Sequence, residues 1–280
     1  DLIRADDREI GLVLDRLRDL GLGDKTNVIV VSDHGFGQTV FGVNVASELI
    51  KAGLKAGPDS DDVVVAGSGE TVSLHLRDRR TKHIGAIVRF LQRQPWIGLV
   101  FTAGKPVRSG VAVEGQAPGT FALDLVHLRN RDRGPDIVFT FPWTSGKNPS
   151  GVPGLDYGEA AATGPLTGVA ANHGSMSPWV VRNTFIAWGA DFKRGATVRT
   201  PASNVDLAPT LLALMNLDKD ADPGRFDGRA LGEAFVGGPD EEQVPVQTRT
   251  YFVKADGYRA ALQVTELDRQ RYIDKGWRIP

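Results

Sequence analysis

The sequence contains no cysteine, only two methionines and only five histidines among its 280 residues. The lack of thiols excludes disulfides, thiolate metal sites and cysteine nucleophiles. Any metal ion must therefore be held by carboxylates and imidazoles. The sequence also lacks an apolar run near the roughly 18 residues that a membrane-spanning helix needs, so no membrane span is predicted.

A large charge of either sign is lacking as well. Lysine and arginine total 33 and aspartate and glutamate total 34, which gives a formal net charge of −1. Such a chain has no general field that would attract a nucleic acid polymer or an anionic membrane, so any specificity must come from a local site. The balance of 41% hydrophobic and 24% charged residues is that of a globular protein with one large domain or two small ones.

The first elements indicate an α/β protein. Apolar residues at helical spacing predict a helix over 3–20, and the β-branched run 27–32 predicts a strand buried on both faces. Functional residues of such layered sheets follow the C-terminal ends of strands, which is where Asp33 and His34 fall. Because the sequence begins at Asp1 directly in the helical pattern, we expect a chain that was cut there.

Further elements follow from the alternation of apolar segments with glycine and proline. Residues 142–178 are rich in Gly, Pro, Ser and Thr, and we expect a long loop that borders a site. We predict a hairpin over 63–76, helices over about 43–53, 81–94 and 203–215, and strands at 97–102, 120–126, 136–141, 184–188 and 249–254.

Two short motifs carry candidate metal ligands. Asp33 and His34 are adjacent, and the small Gly35 after them lets the backbone turn close to an ion. His173 lies between Asn172 and Gly174 in the long loop. The alternatives are a polar turn with a capping aspartate for the first motif, and a solvated loop histidine for the second.

Taken in order, these segments resemble the nucleotide pyrophosphatase/phosphodiesterase (type I phosphodiesterase) branch of the alkaline phosphatase superfamily. The resemblance covers residues 1 to about 235, and its specificity comes from the ordered set rather than from any one segment. The segments are IGLVLDRLRDLGL followed by NVIVVSDHGF, then ANHGSMSPW, NTFIAWGADFKRG and ASNVDLAPTLLALM, with DGRAL as the closing turn.

The resemblance implies a site with two divalent metal ions, zinc being favoured, in which Asp33 and His34 ligate one ion and His173 the other. The family also requires a strand-end Asp, a Thr or Ser nucleophile and an Asp-x-x-x-His pair. All three belong before Asp1, and no histidine of this sequence has an aspartate four residues earlier. We therefore expect no catalytic nucleophile in this chain, and little activity from the chain alone.

The implied fold is an alkaline-phosphatase-like layered sheet with helices on both faces, without its N-terminal strands. Residues 1–240 would form the C-terminal part of the catalytic domain, with a small cap inserted at about 55–130, and 241–280 would form a tail. The loss of strands would leave an uncovered edge. Many relatives work outside the cytoplasm, so the resemblance is compatible with an extracytoplasmic protein, but the residues do not determine the compartment.

The implied function is metal-dependent hydrolysis of phosphoesters, with phosphodiester or nucleotide pyrophosphate bonds as the substrates of the full-length parent. Two alternatives stay open, because one fold can host many activities. One is a non-catalytic relative that acts as a binding protein, and the other is a phosphomonoesterase or sulfatase type of member.

The remaining candidate residues favour structural roles. His75 and His83 lie in the predicted cap, and His127 precedes a cluster formed by Arg129, Arg131 and Arg133, which is more typical of a solvated loop than of a phosphate clamp. Trp143 could stack on a base or phenyl ring, although packing against the core is the commoner role. We expect substrate choice to depend on the missing N-terminal part and on the loop that contains Trp143, Thr144, Ser145 and Lys147.

Overall fold

The computed structural model describes residues 2–108, 110–217, 226–267 and 269–280. The chain forms two compact units, and each is discontinuous in sequence. Unit 1 contains residues 1–33 and 184–246, and unit 2 contains residues 34–183 and 247–280. Both mix helices with strands, which is compatible with the predicted α/β class. Among the described residues, no helix has the length and apolar character that crossing a bilayer requires.

Unit 1 contains the first helix and strand that the sequence predicts. In β1, Val30 pairs with Ile186 of β11 in antiparallel register. The prediction that this strand is buried on both faces is wrong, because no residue of either strand is fully buried in their two-stranded sheet. The elements of unit 1 are α1 (Leu2–Asp19), β1 (Val28–Val31), β11 (Phe185–Trp188) and α5 (Leu207–Leu214).

The start of α5 is fixed by a buried aspartate. Ser203 and Asp206 form the expected capping box across a short 3-10 turn, in which the Asp206 carboxylate accepts a hydrogen bond of 2.8 Å from the Ser203 backbone N–H. The same carboxylate accepts a second bond of 2.8 Å from the Arg229 N–H. Asp206 therefore joins two segments that are separate in sequence, the helix start and the DGRAL turn.

Unit 2 contains a five-stranded sheet with the order β3-β4-β7-β5-β6. The predicted hairpin over 63–76 is confirmed, with Val65 opposite Leu74. The predicted helix over 81–94 is confirmed as α3 with a slightly earlier end. The elements are β3 (Val63–Ser68), β4 (Thr71–Leu76), α3 (Thr81–Gln92), β5 (Val100–Thr102), β6 (Phe121–Ala122) and β7 (Ile137–Thr140).

A second sheet of unit 2 has the order β10-β2-β9-β8. The prediction of a long loop over 142–178 is wrong, because three strands lie there and a short helix begins at Pro178. Hydrophobic alternation could not predict β9, because its buried positions are occupied by Gly154, Asp156 and Gly158 rather than by apolar side chains. The elements are β2 (Gly37–Val43), α2 (Val45–Lys51), β8 (Trp143–Lys147), β9 (Pro153–Glu159), β10 (Gly164–Asn172) and α4 (Pro178–Val181).

The last residues of unit 2 form an antiparallel sheet rather than one strand in a polar tail. Its strands are β12 (Val246–Ala255), β13 (Tyr258–Leu267) and β14 (Gln270–Ile279). The buried Tyr258 hydroxyl donates a hydrogen bond of 2.7 Å to the Gly98 carbonyl, and the Gly276 N–H donates one of 2.9 Å to the Met176 carbonyl. Side chains of β13 thus belong to the same hydrophobic core as the five-stranded sheet.

The core of unit 2 yields a stability prediction. The Phe139 side chain is fully buried and contacts Phe141 edge to face, with ring centroids 5.5 Å apart. We expect Phe139→Ala to lower the free energy of unfolding by about 3–5 kcal/mol, because it removes apolar contacts and leaves a cavity. Urea unfolding measures the change. Phe252→Ala is the matched control: that ring is 64% exposed, and a change of about 0.5 kcal/mol or less is expected. Equal losses in both variants would contradict this description of the core.

Candidate functional site

The predicted ligands Asp33 and His34 lie on either side of the division between the units. Asp33 follows β1 and is the last residue of that segment of unit 1. Its backbone carbonyl accepts a hydrogen bond of 2.7 Å from the Asn204 side-chain amide, within the same unit. His34 is the first residue of unit 2. The end of β1 therefore delivers Asp33 at a strand end, as the sequence indicated.

Within unit 2, the structure brings His34 and His173 together. Their rings are stacked, with centroids 4.1 Å apart and planes inclined by 19°. His34 Nδ1 lies 2.8 Å from the Gly35 carbonyl oxygen, and the Phe36 ring meets the His34 ring edge-on at 5.0 Å. A ring nitrogen held by a backbone carbonyl fixes the tautomer and the orientation of a histidine, as is common among metal-binding histidines.

Gly35 holds the segment after His34 against α4. Its N–H donates a hydrogen bond of 2.9 Å to the Val180 carbonyl. A Cβ on Gly35 would lie 2.1 Å from the Trp179 carbonyl oxygen and 2.5 Å from that of Arg182. Only glycine permits so close an approach of two backbones. This glycine therefore serves packing against α4, whereas the sequence suggested a turn close to a metal ion.

The loop that carries His173 is fastened to the β3–β4 hairpin. The Glu70 N–H donates a hydrogen bond of 2.7 Å to the His173 carbonyl, and the Thr71 hydroxyl donates one to the Gly174 carbonyl. The His173 N–H donates in turn to the Asn172 side chain at 3.0 Å. These bonds fix the backbone on both sides of the imidazole, so the loop histidine is not a freely solvated one.

Two buried carboxyl groups lie beside this loop. Glu70 and Asp156 are both 0% exposed. Glu70 Oε1 accepts a hydrogen bond of 2.9 Å from the Thr39 hydroxyl. Asp156 pairs across the sheet with Thr39, and its carboxylate covers Gly37. Among the described residues, neither oxygen of Asp156 nor Glu70 Oε2 has a hydrogen-bond partner. These groups are therefore costly to ionise.

Burial accordingly raises the pKa of both groups. The pKa of Glu70 rises to about 7, chiefly because burial disfavours its charge and secondly because Asp156 is near. Burial raises the pKa of Asp156 to about 6. The hydrogen bond that the Thr39 hydroxyl donates to Glu70 opposes part of the shift of that group. The pair therefore takes up a proton near neutral pH, next to the backbone that carries His173.

The sequence did not predict Glu70 or Asp156. Glu70 looked like part of a polar hairpin turn, and Asp156 lay in the segment expected to be a loop. One signal was present: in Gly154-Leu155-Asp156-Tyr157-Gly158, strand alternation places the aspartate on one face with two glycines. A carboxylate surrounded by residues without side chains is easily covered by neighbouring segments.

The other sequence candidates have structural partners. His83 Nδ1 lies 3.2 Å from Asp78, and His127 ends a 3-10 turn with φ of 53°. Trp143 donates a hydrogen bond to the Gly276 carbonyl and packs edge-on against Trp179, which favours the structural role. Within the described ranges, no group of three or more His, Asp or Glu side chains is arranged to hold a metal ion. The ligand set Asp33, His34 and His173 stays a prediction.

The buried pair predicts how stability depends on pH. Both pKa values are higher in the folded protein than in the unfolded chain, so the folded state binds more protons between about pH 4 and 7. The free energy of unfolding should therefore fall as pH rises from about 4 to about 7, by about 2–4 kcal/mol above pH 5, and then level off. Urea unfolding between pH 5 and 8, with chelator present, measures the profile.

Glu70→Gln and Asp156→Asn should each flatten this profile, because a neutral amide has no proton to lose. The exposed Asp59 is the control, and Asp59→Asn should leave the profile of the parent chain unchanged. A steep profile that persists in both buried-site variants would show that other groups cause it.

Comparison with known proteins supports part of the resemblance. Comparison with curated proteins gives no match. A family model does match, over residues 1–91, and its description is type I phosphodiesterase / nucleotide pyrophosphatase. The match includes Asp33, His34 and Gly35 and ends before His173. A family of that description consists of hydrolases. Over its first 91 residues, this chain is thus a partial match to the type I phosphodiesterase / nucleotide pyrophosphatase family of the alkaline phosphatase superfamily.

Proposed function

We propose that this chain supplies part of a metal site that hydrolyses phosphodiester or nucleotide pyrophosphate bonds in the full-length protein. The observation that carries the proposal is the stack of His34 on His173 at 4.1 Å. These two histidines are distant in sequence, and local motifs predict each of them as a metal ligand, yet their rings lie side by side. The family match over residues 1–91 supports the hydrolase class.

Asp33 and His34 would hold one divalent ion, and His173 would contribute to the neighbouring one. The residue types fit, because carboxylate oxygen and imidazole nitrogen are ordinary zinc ligands. The bond between His34 Nδ1 and the Gly35 carbonyl supports the fit, since it orients the ring as second-shell partners of metal histidines do. When bound, two such ions would polarise the phosphoryl oxygens and stabilise the charge of the attacking and leaving oxygens.

The protein's own contribution would be to hold the two rings still before substrate arrives. Gly35 ties the first ring to α4, and Glu70 and Thr71 tie the loop of the second ring to the hairpin. Ligands held in this way lose little entropy when an ion binds, which favours a preorganised site. The nucleophilic Thr or Ser and the remaining ligands would come from residues outside this chain. The chain alone would then have little hydrolytic activity.

The finer architecture belongs to the same proposal. The segments would form the C-terminal part of a layered sheet with helices on both faces, with the region of about 55–130 as a cap. The order of the segments supports this arrangement. A non-catalytic binding role and a monoesterase or sulfatase activity are the outcomes that the following experiment separates.

In the full-length protein, we expect His34→Ala and His173→Ala each to lower kcat/KM for bis(p-nitrophenyl) phosphate by at least about 100-fold. Chelator should abolish the activity and zinc should restore it. His83→Ala is the matched control, because that imidazole contacts Asp78 and has no place in the proposed ligand set. Its kcat/KM should stay within about twofold of the parent value.

Three results would contradict the proposal or redirect it. Activity that survives chelation would exclude a metal mechanism. Faster hydrolysis of p-nitrophenyl phosphate than of the diester would favour the monoesterase alternative. No activity towards either ester, with zinc bound, would favour the binding protein.

A further inference from the structure

Unit 2 contains a cavity of about 580 Å³ whose lining is rich in arginine. It lies beside the first turns of α3 and the loop over 129–136, and none of its residues belongs to the predicted metal site. Its volume falls within the range of small-molecule sites. We call it the arginine cavity, after the four arginines in its lining: Arg79, Arg89, Arg129 and Arg131.

Arg79 and Arg129 form hydrogen bonds and ion pairs within the protein. Arg79 donates hydrogen bonds to the carbonyls of Arg131 and Gly134, and its Nε lies 3.4 Å from the Asp136 carboxylate. Arg129 donates a bond of 3.1 Å to Asp124. Their charges are therefore balanced by neighbouring carboxylates, and their side chains shape the wall of the cavity.

The other two arginines are not balanced. Within the described parts of the chain, the guanidinium groups of Arg89 and Arg131 have neither an ion pair nor a hydrogen bond. The position of Arg131 is nevertheless defined, because Arg79 binds its carbonyl oxygen and the Asn130 side chain accepts bonds from the next two N–H groups. The cavity thus presents two uncompensated positive charges, one on a helix and one on a fixed turn.

The rest of the lining suits a ligand with a polar and an apolar part. Ile84, Ala117, Pro118 and Leu123 provide an apolar wall, and Thr81 and Gln116 provide neutral hydrogen-bonding groups. A guanidinium group matches the spacing of two oxygens on a phosphate and can bind both at once. A phosphate dianion would use both arginines, and an organic group attached to it would contact the apolar wall.

We propose that the arginine cavity binds phosphate or an organic phosphate monoester, through Arg89 and Arg131. This site is separate from the proposed hydrolytic one and does not depend on it. It also revises the interpretation of the arginine cluster that the sequence favoured: Arg131 lies in a concave site, whereas Arg129 serves the fold.

The test is titration calorimetry of the full chain with inorganic phosphate and with phenyl phosphate. Chelator is present throughout, so that phosphate cannot bind through a metal ion. We expect both probes to bind, with affinities that fall as ionic strength rises. Arg89→Ala and Arg131→Ala should each weaken binding by about tenfold or more, since each removes a charge-assisted contact. Tighter binding of phenyl phosphate would identify an organic monoester as the ligand, and equal affinities would identify phosphate itself.

Matched controls separate this site from general charge effects. Arg93→Ala removes an equal charge from an exposed residue that directly follows the same helix, outside the cavity, and should leave the affinity within about twofold. His173→Ala should also leave it unchanged. Arg89→Lys should restore only part of the affinity, because an ammonium group lacks the planar fork. The proposal is overturned if neither probe binds at millimolar concentration, if Arg93→Ala weakens binding as much as Arg89→Ala, or if His173→Ala abolishes it.

Both cavity substitutions should leave the fold intact, because the two side chains are exposed and make no contacts that the fold requires. A melting temperature equal to that of the parent chain verifies this. The calorimetric result then reports on binding alone.

Discussion

The close approach of Gly35 to the backbone of α4 is the contact on which the candidate site depends. It leaves no room for a Cβ, so the segment after His34 is locked to the segment that follows His173. The stacking of the two imidazoles is possible because their flanking backbones are already joined. The hairpin bonds from Glu70 and Thr71 complete the frame on the other side of the loop. The site is therefore built mainly from backbone contacts, which tolerate little change in the residues between them.

The sequence predicted those elements of the fold that bury apolar side chains at regular spacing. The hairpin over 63–76 and the helix that became α3 have such signals, and both are confirmed. The start of α5 is confirmed through its capping box instead. It failed for β2 and β9, because glycine and polar residues occupy buried positions there. Hydrophobic periodicity detects burial only where burial is apolar. The sheet β12–β14 was also underestimated, since its outward positions make the segment look polar.

For the candidate site, the sequence supplied the histidines but not their surroundings. Local motifs and the resemblance indicate His34 and His173, and the structure brings their rings into contact. No such motif indicates Glu70 and Asp156, because their burial results from segments that meet only in the folded chain. The sequence suggested that Gly35 lets the backbone turn close to a metal ion, whereas in the structure it allows close packing against α4. Residue types can thus indicate chemistry, whereas desolvation depends on contacts between distant segments.

The discontinuity of unit 2 has a consequence for the way the protein is made. Residues 34–183 contribute most of this unit, but β13 and β14 come from residues 258–279, after the whole second segment of unit 1. During synthesis on the ribosome, the Tyr258 hydroxyl and the Gly276 N–H are not yet present when Gly98 and Met176 emerge. The core of unit 2 stays incomplete until residues 184–279 have also been translated, at about 5–20 residues per second. For several seconds in every round of translation, apolar side chains of this core therefore lack their β13 partners, and such surface makes a nascent chain prone to aggregation.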